Sequence, residues 1–409
     1  MLPELSPRAQ KLVEVLTKFV NEDCVPNEER FAREFGQGAQ RWQAIPPILE
    51  ELKIKARSLG LWNLFIPKEY PESPGLTNYE YAHLCEIMDT GNMEVLIKYG
   101  NAAQKKKWLV PLMEGKIRSA FAMTEPAVPS SNATNISCSL KKVQGGYIVD
   151  GKKWWISGAG GPRCKVFIVM VRSGKSNEEL MRDPNNIGLQ QIHKQHSVVI
   201  VPADTPGVTV VRPLTVFGYD DADHGGHCEV VFDNVFIPTE NMVLGEGRGF
   251  EIIQGRLGPG RLHHAMRALG QAERALDTMV GRAISREIQG IPLSSRGVVL
   301  EWIAKSRIEI ESARLLVLSA AHAVDTKGAS KSKAEIAMAK VAVPAITLGV
   351  IDRAIQLHGA MGVGQDTPLA GMYAGVRTLR IADGPDEVHL EQLGRNEVKK
   401  YKARHASKL

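Results

Sequence analysis

Residues 121–126 read Phe-Ala-Met-Thr-Glu-Pro and separate two regions of different hydrophobic periodicity. Before them, apolar residues recur at the spacing of an amphipathic helix, first at Leu12, Val15, Leu16 and Phe19. After them come short β-branched runs bounded by Gly, Pro and Asp, at 147–149, 166–171, 198–201 and 229–232. The change predicts a helical region that ends near residue 118 and a compact antiparallel β unit that follows it.

Helical periodicity returns after Gly249 and continues through further amphipathic helices predicted at 297–325 and 331–357. Pro259 and Gly260 predict a bend in the first of these helices. Helices, a β unit and then helices again form an α+β fold with segregated layers. We predict an N-terminal helical domain over 1–118, a middle β domain over 119–238 and a C-terminal helical domain over 239–409.

The composition is that of an ordinary folded protein, with 409 residues, 44% hydrophobic and 23% charged. The longest apolar runs are short and broken by charges, so we expect no membrane span. The formal net charge of +6 suits an acidic partner, such as the phosphates of CoA or of nucleic acid, or it is an ordinary solvated surface. Because RNA-binding aromatic motifs and zinc-finger spacings are missing, a nucleic-acid partner is not favoured.

Cysteine usage and the chain ends carry information about the compartment. The five cysteines contain no CxxC pair, which indicates a reducing compartment without a disulfide framework or structural zinc. The N-terminal residues show neither a signal peptide nor an Arg-rich transit peptide. The chain ends in Ser407-Lys408-Leu409, the tripeptide read by the peroxisomal import receptor, and we therefore expect a peroxisomal location.

Two stretches at the β unit could line a planar cofactor. The first is 121–126, and the second is 151–158, which contains Trp154, Trp155 and Ser157. Backbone donors, a hydroxyl and large flat rings can bind the edge and the face of a planar group. Core anchors are the commoner use of tryptophan, and the spacing alone does not decide between these two uses.

A third stretch, 380–387, places Asp383, Asp386 and Glu387 close together after a helix. A carboxylate in an apolar pocket becomes a better base because desolvation raises its pKa. A solvated acidic turn is the alternative. The chain has neither a GxGxxG motif after a strand nor a P-loop, so a Rossmann-type nucleotide site is not indicated.

Five motifs, in this order and at these separations, resemble the acyl-CoA dehydrogenase family over nearly the whole chain. They are the Thr-Glu-Pro motif in 121–126, Trp155-Ile156-Ser157, the run 234–250, Gly260-Arg261 with 270–272, and the glycine motif in 356–362. The resemblance implies an N-terminal helical domain, a middle antiparallel β domain and a C-terminal four-helix bundle. It also implies FAD, lying between the β domain and the bundle, and a homodimer or homotetramer.

The resemblance implies roles for four residues of the β unit. Met123 and Thr124 are expected to contact the pyrimidine edge of the flavin through backbone or hydroxyl groups. Trp155 is expected to pack on the flavin, with Ser157 near flavin N5. Serine here replaces the usual threonine of the family and keeps the hydroxyl.

Further roles are implied for phosphate and substrate binding. Arg286, Gln356 and Gly359 are expected to hold the pyrophosphate and ribose of FAD, partly across a subunit interface, with backbone amides near Gly359 facing phosphate. Ser130 matches a serine near the thioester and pantetheine of the substrate. Arg261 matches an arginine on the CoA side.

Asp383 is the predicted catalytic base. Most family members carry a glutamate before a glycine at the position of Asp383-Gly384, so this chain keeps the carboxylate on a side chain one methylene shorter. A minority carry the base on the helix before the arginine matched to Arg261. That position is Gly260 here, which offers no carboxylate.

The implied reaction is removal of the α-proton and transfer of the β-hydride of a fatty acyl-CoA, with oxygen or an electron-transfer protein as the final acceptor. The branch with aspartate suggests long-chain, branched or hydroxylated acyl groups. A short connection at Met88-Asp89 leaves the size of the acyl cavity open. Nitroalkane oxidases share this architecture and use an aspartate, so they are one alternative. A non-catalytic flavin-binding or nucleic-acid-binding protein of the same fold is the other.

Overall fold

The computed structural model describes residues 2–66, 68, 70–71, 73–86, 93–183 and 189–405. The connection at Met88-Asp89 and the tripeptide Ser407-Lys408-Leu409 lie outside these residues. The chain forms two compact units. The sheet unit comprises Asn21–Asn63 and Gly91–Arg256, and the bundle unit comprises Met1–Val20, Leu64–Thr90 and Leu257–Leu409.

The described helices agree closely with the periodicity of the sequence. They are α1 (Pro7–Phe19), α2 (Glu28–Phe35), α3 (Pro47–Ser58), α4 (Asn78–Cys85), α5 (Met93–Tyr99), α6 (Ala102–Gln104), α7 (Val110–Met113), α8 (Asn177–Arg182), α9 (Leu189–Ile192), α10 (Gly249–Ser285), α11 (Gly297–Lys327), α12 (Lys333–His358), α13 (Ala360–Val363), α14 (Leu369–Thr378) and α15 (Asp386–His405). Helix α10 continues through Pro259 and Gly260 without interruption.

The sheet unit is built around one seven-stranded sheet. Its strands are β1 (Arg118–Ala122), β2 (Ser139–Val143), β3 (Gly146–Ser157), β4 (Cys164–Arg172), β5 (His196–Pro202), β6 (Val208–Leu214) and β7 (His227–Pro238). Their order is β1-β4-β2-β3-β7-β6, and β5 pairs with Val166–Arg172 of β4 along the edge opposite β1. A short hairpin of two strands with two residues each, β8 (Glu287–Ile288) and β9 (Ile291–Pro292), follows α10 in the bundle unit.

The seven-stranded sheet is not purely antiparallel, which corrects the prediction of an antiparallel middle β domain. Strand β1 pairs with β4 in parallel, with Phe121 opposite Ile168, and β2 makes a single parallel pairing with β4. The reason is the connection: the β2–β3 hairpin lies between β1 and β4, so the chain has enough length to return in the same direction. The other pairings, β2–β3, β3–β7, β4–β5 and β6–β7, are antiparallel.

The sheet is stabilised by a core of β-branched and aromatic side chains. Phe167 and Phe232 meet edge to face with ring centroids 5.8 Å apart, and both are buried. The same core contains three free cysteines, Cys138, Cys164 and Cys228. Burial raises the pKa of each of these thiols to about 11, so they remain protonated and unreactive at neutral pH.

The bundle unit packs α10, α11, α12 and α14 through many small residues, among them Ala272, Ala275 and Ala354. Small side chains let helix axes approach closely. Helix α12 is the described helix that is long and apolar enough to cross a membrane, although the composition predicted none. Of its most apolar window, 56% is buried in the bundle, as expected of the core helix of a packed domain.

Asp325 on α11 fixes the start of α4. Its carboxylate accepts the backbone N–H groups of Asn78 and Tyr79 at 2.9 and 2.8 Å, which satisfies two donors at the helix N-terminus. The residues predicted as an N-terminal helical domain are thus shared: α1 and α4 belong to the bundle unit, and α2 and α3 belong to the sheet unit. The division into three domains stays a prediction.

Candidate active site

The end of β1 is bonded to β3 at the residues predicted to face the flavin. The Thr124 hydroxyl donates to the carbonyl of Trp154 at 2.6 Å, and the Trp154 N–H donates to the carbonyl of Thr124 at 3.0 Å. These two bonds place Met123 and Thr124 directly beside the start of the Trp155-Ile156-Ser157 motif. The structure therefore brings both β-unit motifs together, as the hypothesis of a planar cofactor requires.

Trp155 lies in an irregularity of β3. The register between β3 and β7 shifts between Lys153 and Ile156, and Trp155 has a left-handed backbone with φ 55°. A large residue rarely adopts this conformation, and such outliers concentrate at functional sites. The indole is 40% exposed, so it presents a flat apolar surface outside the core. The alternative use of Trp155 as a buried core anchor is not what the structure shows.

A buried ion pair between Lys153 and Glu125 fixes the backbone at the end of β1. The Lys153 ammonium donates to the carbonyls of Met123 and Met170 and to Glu125 Oε1, at 2.8, 2.7 and 2.8 Å. Burial opposes ionisation of Glu125, but the Lys153 charge and several hydrogen bonds hold the pKa of its carboxyl below the usual value. Both side chains are almost completely buried. Every donor of the ammonium is used, so Met123 is fixed in position.

These groups fit the flavin of FAD. A hydroxyl at Ser157, an exposed indole face at Trp155 and the end of β1 at Met123 and Thr124 supply polar contacts for the edge of a planar ring and a stacking surface for its face. Ser157 is itself exposed and lies directly opposite His227 on β7.

Ser130 has a different environment from these residues. Its hydroxyl is buried, accepts the N–H of Glu125 at 2.8 Å and donates to the carbonyl of Glu125 or of Val128, at 3.0 and 3.1 Å. The hydroxyl therefore closes the turn that follows the Thr-Glu-Pro motif. Its predicted contact with the substrate stays a prediction, and this local role alone accounts for the residue.

In the bundle unit, Asp383 lies in the turn between α14 and α15. Its backbone is left-handed with φ 55°, and Gly384 follows with φ 103°. A β-carbon at residue 384 would lie 2.9 Å from Nε2 of His389, so only glycine fits there. The Asp383 side chain is 12% exposed. The carboxylate is thus shielded rather than part of a fully solvated acidic turn.

Three side chains from three helices hold the carbonyls of this turn. Arg261 Nε donates to the carbonyl of Asp383 at 2.8 Å, and His389 Nε2 lies 3.4 Å from the same oxygen. Lys340, near the end of the second turn of α12, donates to the carbonyl of Gly384. These contacts fix the backbone of the strained turn that carries the Asp383 carboxylate.

Charge around the turn is balanced by Asp386 at the start of α15. Asp386 accepts from Arg380 Nε at 2.6 Å and lies 3.6 Å from the ammonium of Lys340. Burial lowers the pKa of Lys340, and the nearby Asp386 carboxylate partly offsets this effect. Burial and the charges of Arg261 and Lys340 lower the pKa of His389 to about 4, so its ring is neutral at physiological pH.

The sequence did not reveal His264, His389 or Lys340 as neighbours of Asp383. His264 Nε2 lies 3.3 Å from Asp383 Oδ2 and is one helical turn from Arg261. The sequence did contain a signal for His264, because it lies three residues after Arg261, a predicted site residue, and therefore on the same face of a helix. For Lys340 the signal was a single charged residue within the otherwise uncharged stretch 336–351 of α12, since a fully buried ammonium requires specific partners.

The residues predicted to hold the FAD phosphates are all exposed in the bundle unit. Gln356 is in the last turn of α12, and Gly359 ends that helix with φ 62°. Arg286 follows the last residue of α10. Their roles stay predictions.

Comparisons with known proteins agree with this geometry. Residues 120–235 match the middle domain of acyl-CoA dehydrogenases, and residues 247–397 match the C-terminal domain. The chain is 49% identical to "Probable acyl-CoA dehydrogenase FadE2" of Mycobacterium tuberculosis over 88% of each protein. It is also 49% identical to "Acyl-CoA dehydrogenase family member 11" of Rattus norvegicus, over 96% of this chain and 51% of that protein. The chain thus spans about half the length of its animal relatives.

Solved structures show the same similarity. A Mycobacterium abscessus protein assigned to the acyl-CoA dehydrogenases superposes with a TM-score of 0.89 at 43% identity, over 98% of this chain and 100% of the other. Butyryl-CoA dehydrogenase of Megasphaera elsdenii superposes with a TM-score of 0.77 at 25% identity, over 97% and 100%. The predicted fold of helical and β-sheet domains is confirmed. This chain belongs to the acyl-CoA dehydrogenase family.

Proposed function

We propose that this protein catalyses the α,β-dehydrogenation of a fatty acyl-CoA to a trans-2-enoyl-CoA, as a step of fatty acid β-oxidation. The observation that carries the proposal is the placement of the Asp383 carboxylate. The carboxylate is shielded from solvent and belongs to a strained turn. The backbone carbonyl of Asp383 accepts a hydrogen bond from Arg261, the residue matched to the CoA side.

FAD is the cofactor of this family, and when bound it supplies the acceptor for the β-hydride. In the sheet unit, Met123, Thr124, Trp155 and Ser157 would hold the flavin ring. In the bundle unit, Arg286, Gln356 and Gly359 would hold the pyrophosphate and ribose. The chain's own part in the chemistry is to fix this ring and to bring a base to the substrate.

Asp383 would remove the α-proton, and its carboxylate oxygen would carry that proton afterwards. The α-proton of a thioester is weakly acidic, so donors at the thioester carbonyl must stabilise the developing negative charge. The base must also come within hydrogen-bonding reach of the proton. The contacts of Arg261, Lys340 and His389 fix the backbone from which the short Asp383 side chain extends, which would help to align the carboxylate with the α-proton.

The experiment is an anaerobic visible spectrum of the purified protein, titrated with acyl-CoAs of different chain length and then with nitroalkanes. Bleaching of the oxidised flavin band by acyl-CoA supports the proposal and ranks the substrates. Bleaching by nitroalkanes alone would indicate a nitroalkane oxidase. A flavin that no acyl-CoA reduces would indicate a non-catalytic member of the fold.

We also propose that the protein is a homodimer or homotetramer. Several large apolar side chains of the bundle unit are exposed, among them Ile308 and Leu315 on α11, at 67% and 59%. They are two helical turns apart and therefore lie on one face, which suits contact with a second copy. Light scattering of the purified protein tests this; a monomer at micromolar concentration would contradict it.

Peroxisomal import is a further proposal, supported by Ser407-Lys408-Leu409. A fluorescent protein joined to the N-terminus of the chain should enter peroxisomes. The same fusion without Leu409 should remain outside them. An equal distribution of both fusions would reject this location.

A further inference from the structure

The hydroxyl predicted to face the flavin already has a partner within the sheet. Ser157 Oγ lies 2.9 Å from Nδ1 of His227, and the two residues are directly opposed in the antiparallel pairing of β3 and β7. The His227 ring also lies 5.9 Å from the ring of Trp155, and its side chain is 21% exposed. None of the roles predicted for this site involves His227.

The other ring nitrogen of His227 faces a carboxylate. His227 Nε2 lies 3.4 Å from Asp221 Oδ2. Asp221 Oδ1 lies 3.1 Å from His224 Nδ1, which is also 3.3 Å from Asp223. Hydrogen bonds to Asp221 and Asp223 raise the pKa of His224, which favours its charged form beside the Asp221 carboxylate.

A neutral histidine carries its proton on only one nitrogen, and the group beside the other nitrogen decides which one. The carboxylate of Asp221 favours the proton on Nε2, which leaves Nδ1 as an acceptor. We propose that His227 is a positioning residue for Ser157. Asp221 fixes the tautomer of His227, so that His227 Nδ1 accepts a hydrogen bond from the Ser157 hydroxyl. Ser157 therefore presents an oxygen lone pair, rather than its hydrogen, to the flavin.

The consequence rests on the proposed function, in which Ser157 lies near flavin N5. That nitrogen carries a hydrogen only in the reduced cofactor. A hydroxyl that accepts a hydrogen bond therefore favours the reduced form, whereas a hydroxyl that donates favours the oxidised form. His227 would thus raise the flavin midpoint potential through Ser157.

The first measurement is the ¹⁵N spectrum of histidine side chains in the purified full-length protein at about pH 8, above the ordinary pKa of histidine. The spectrum of His227→Phe identifies the His227 signals. We expect a protonated Nε2 and a bare Nδ1. In Asp221→Asn the side-chain amide can donate to Nε2, so the proton should move to Nδ1. A protonated Nδ1 in the wild type, or an unchanged spectrum in Asp221→Asn, overturns the proposal.

The second measurement is the flavin midpoint potential. His227→Phe should shift the equilibrium about tenfold towards the oxidised flavin, which is about 30 mV for two electrons. In a Ser157→Ala background the same change should have no further effect, and Ser157→Thr, which keeps the hydroxyl, should behave as the wild type. An unshifted potential, or an equal shift in the Ser157→Ala background, contradicts the proposal. A flavin with this behaviour that acyl-CoA does not bleach would reject the proposed function alone.

Discussion

Gly260 and Asp383 occupy neighbouring positions although 122 residues separate them in the chain: a β-carbon at Gly260 would lie 3.2 Å from Oδ2 of Asp383. The two sequence positions at which this family carries its base therefore converge on one point of the bundle unit. In this chain the glycine leaves room for the carboxylate of the turn. Any side chain at residue 260 would compete with Asp383 for that space.

Gly260→Ala should therefore stabilise the folded protein but slow the reduction of its flavin by acyl-CoA. Alanine in a helix interior is favoured over glycine by up to about 1 kcal/mol, so the free energy of unfolding should rise. The new methyl group must displace the Asp383 carboxylate by a few tenths of an ångström. We expect the rate of flavin bleaching by acyl-CoA to fall about tenfold, since misplacement of a catalytic group by about 1 Å can cost about 100-fold.

Gly281→Ala is the matched control for this prediction. Gly281 lies on the same helix, α10, and a β-carbon there would meet no atom within 4 Å. It should stabilise to a similar extent and leave the bleaching rate unchanged. Equal rates for the two variants would show that Gly260 does not make room for the base.

Asp383→Asn should leave FAD bound and stop its reduction. The amide has almost the same size as the carboxylate but cannot take up the α-proton. General-base catalysis contributes factors on the order of 10²–10⁴, so the bleaching rate should fall on the order of 10³-fold. Glu387→Gln, an exposed carboxylate four residues away, should react as the wild type. Near-normal reduction in Asp383→Asn would mean that another group is the base.

The site roles of Asp383 and Arg261 stay predictions, whereas periodicity and motif order predicted much of the structure, including the bounds of α11 and α12 to within two residues and the family to which the chain belongs. These features depend on residues close together in the chain or on a family resemblance. The parallel pairing of β1 with β4 could not be predicted, because β-branched runs read the same in either direction. Nor could the contacts of His264, His389 and Lys340 with the turn. They form only when α10, α12 and α15 pack together, so the local signals of His264 and Lys340 could not show which residues these side chains would contact.

Lys153→Met should destabilise the sheet unit strongly. The substitution leaves the Glu125 carboxylate buried without its cation, and removing one member of a buried pair costs about 3–5 kcal/mol. It also releases the carbonyl of Met123, so FAD affinity should fall. Urea unfolding and flavin titration measure the two effects. Lys175→Met, which breaks the exposed pair with Asp183 in the same unit, should leave both unchanged. Equal behaviour of the two variants would show that the buried pair contributes nothing special.

His389 should make stability decline between neutral and mildly acidic pH. Its pKa is about 4 in the folded protein, against an ordinary value of 6.5. Above pH 6.5 the ring is neutral in both the folded and the unfolded chain, and its full contribution to the free energy of unfolding is present. As the pH falls towards 4, the unfolded chain binds a proton that the folded chain excludes, so up to about 3 kcal/mol is lost. Unfolding by urea at several pH values measures this decline, and His389→Gln should reduce it. His405→Gln, at the other end of α15, should not reduce it. An unchanged slope in His389→Gln would show that a different group causes the decline.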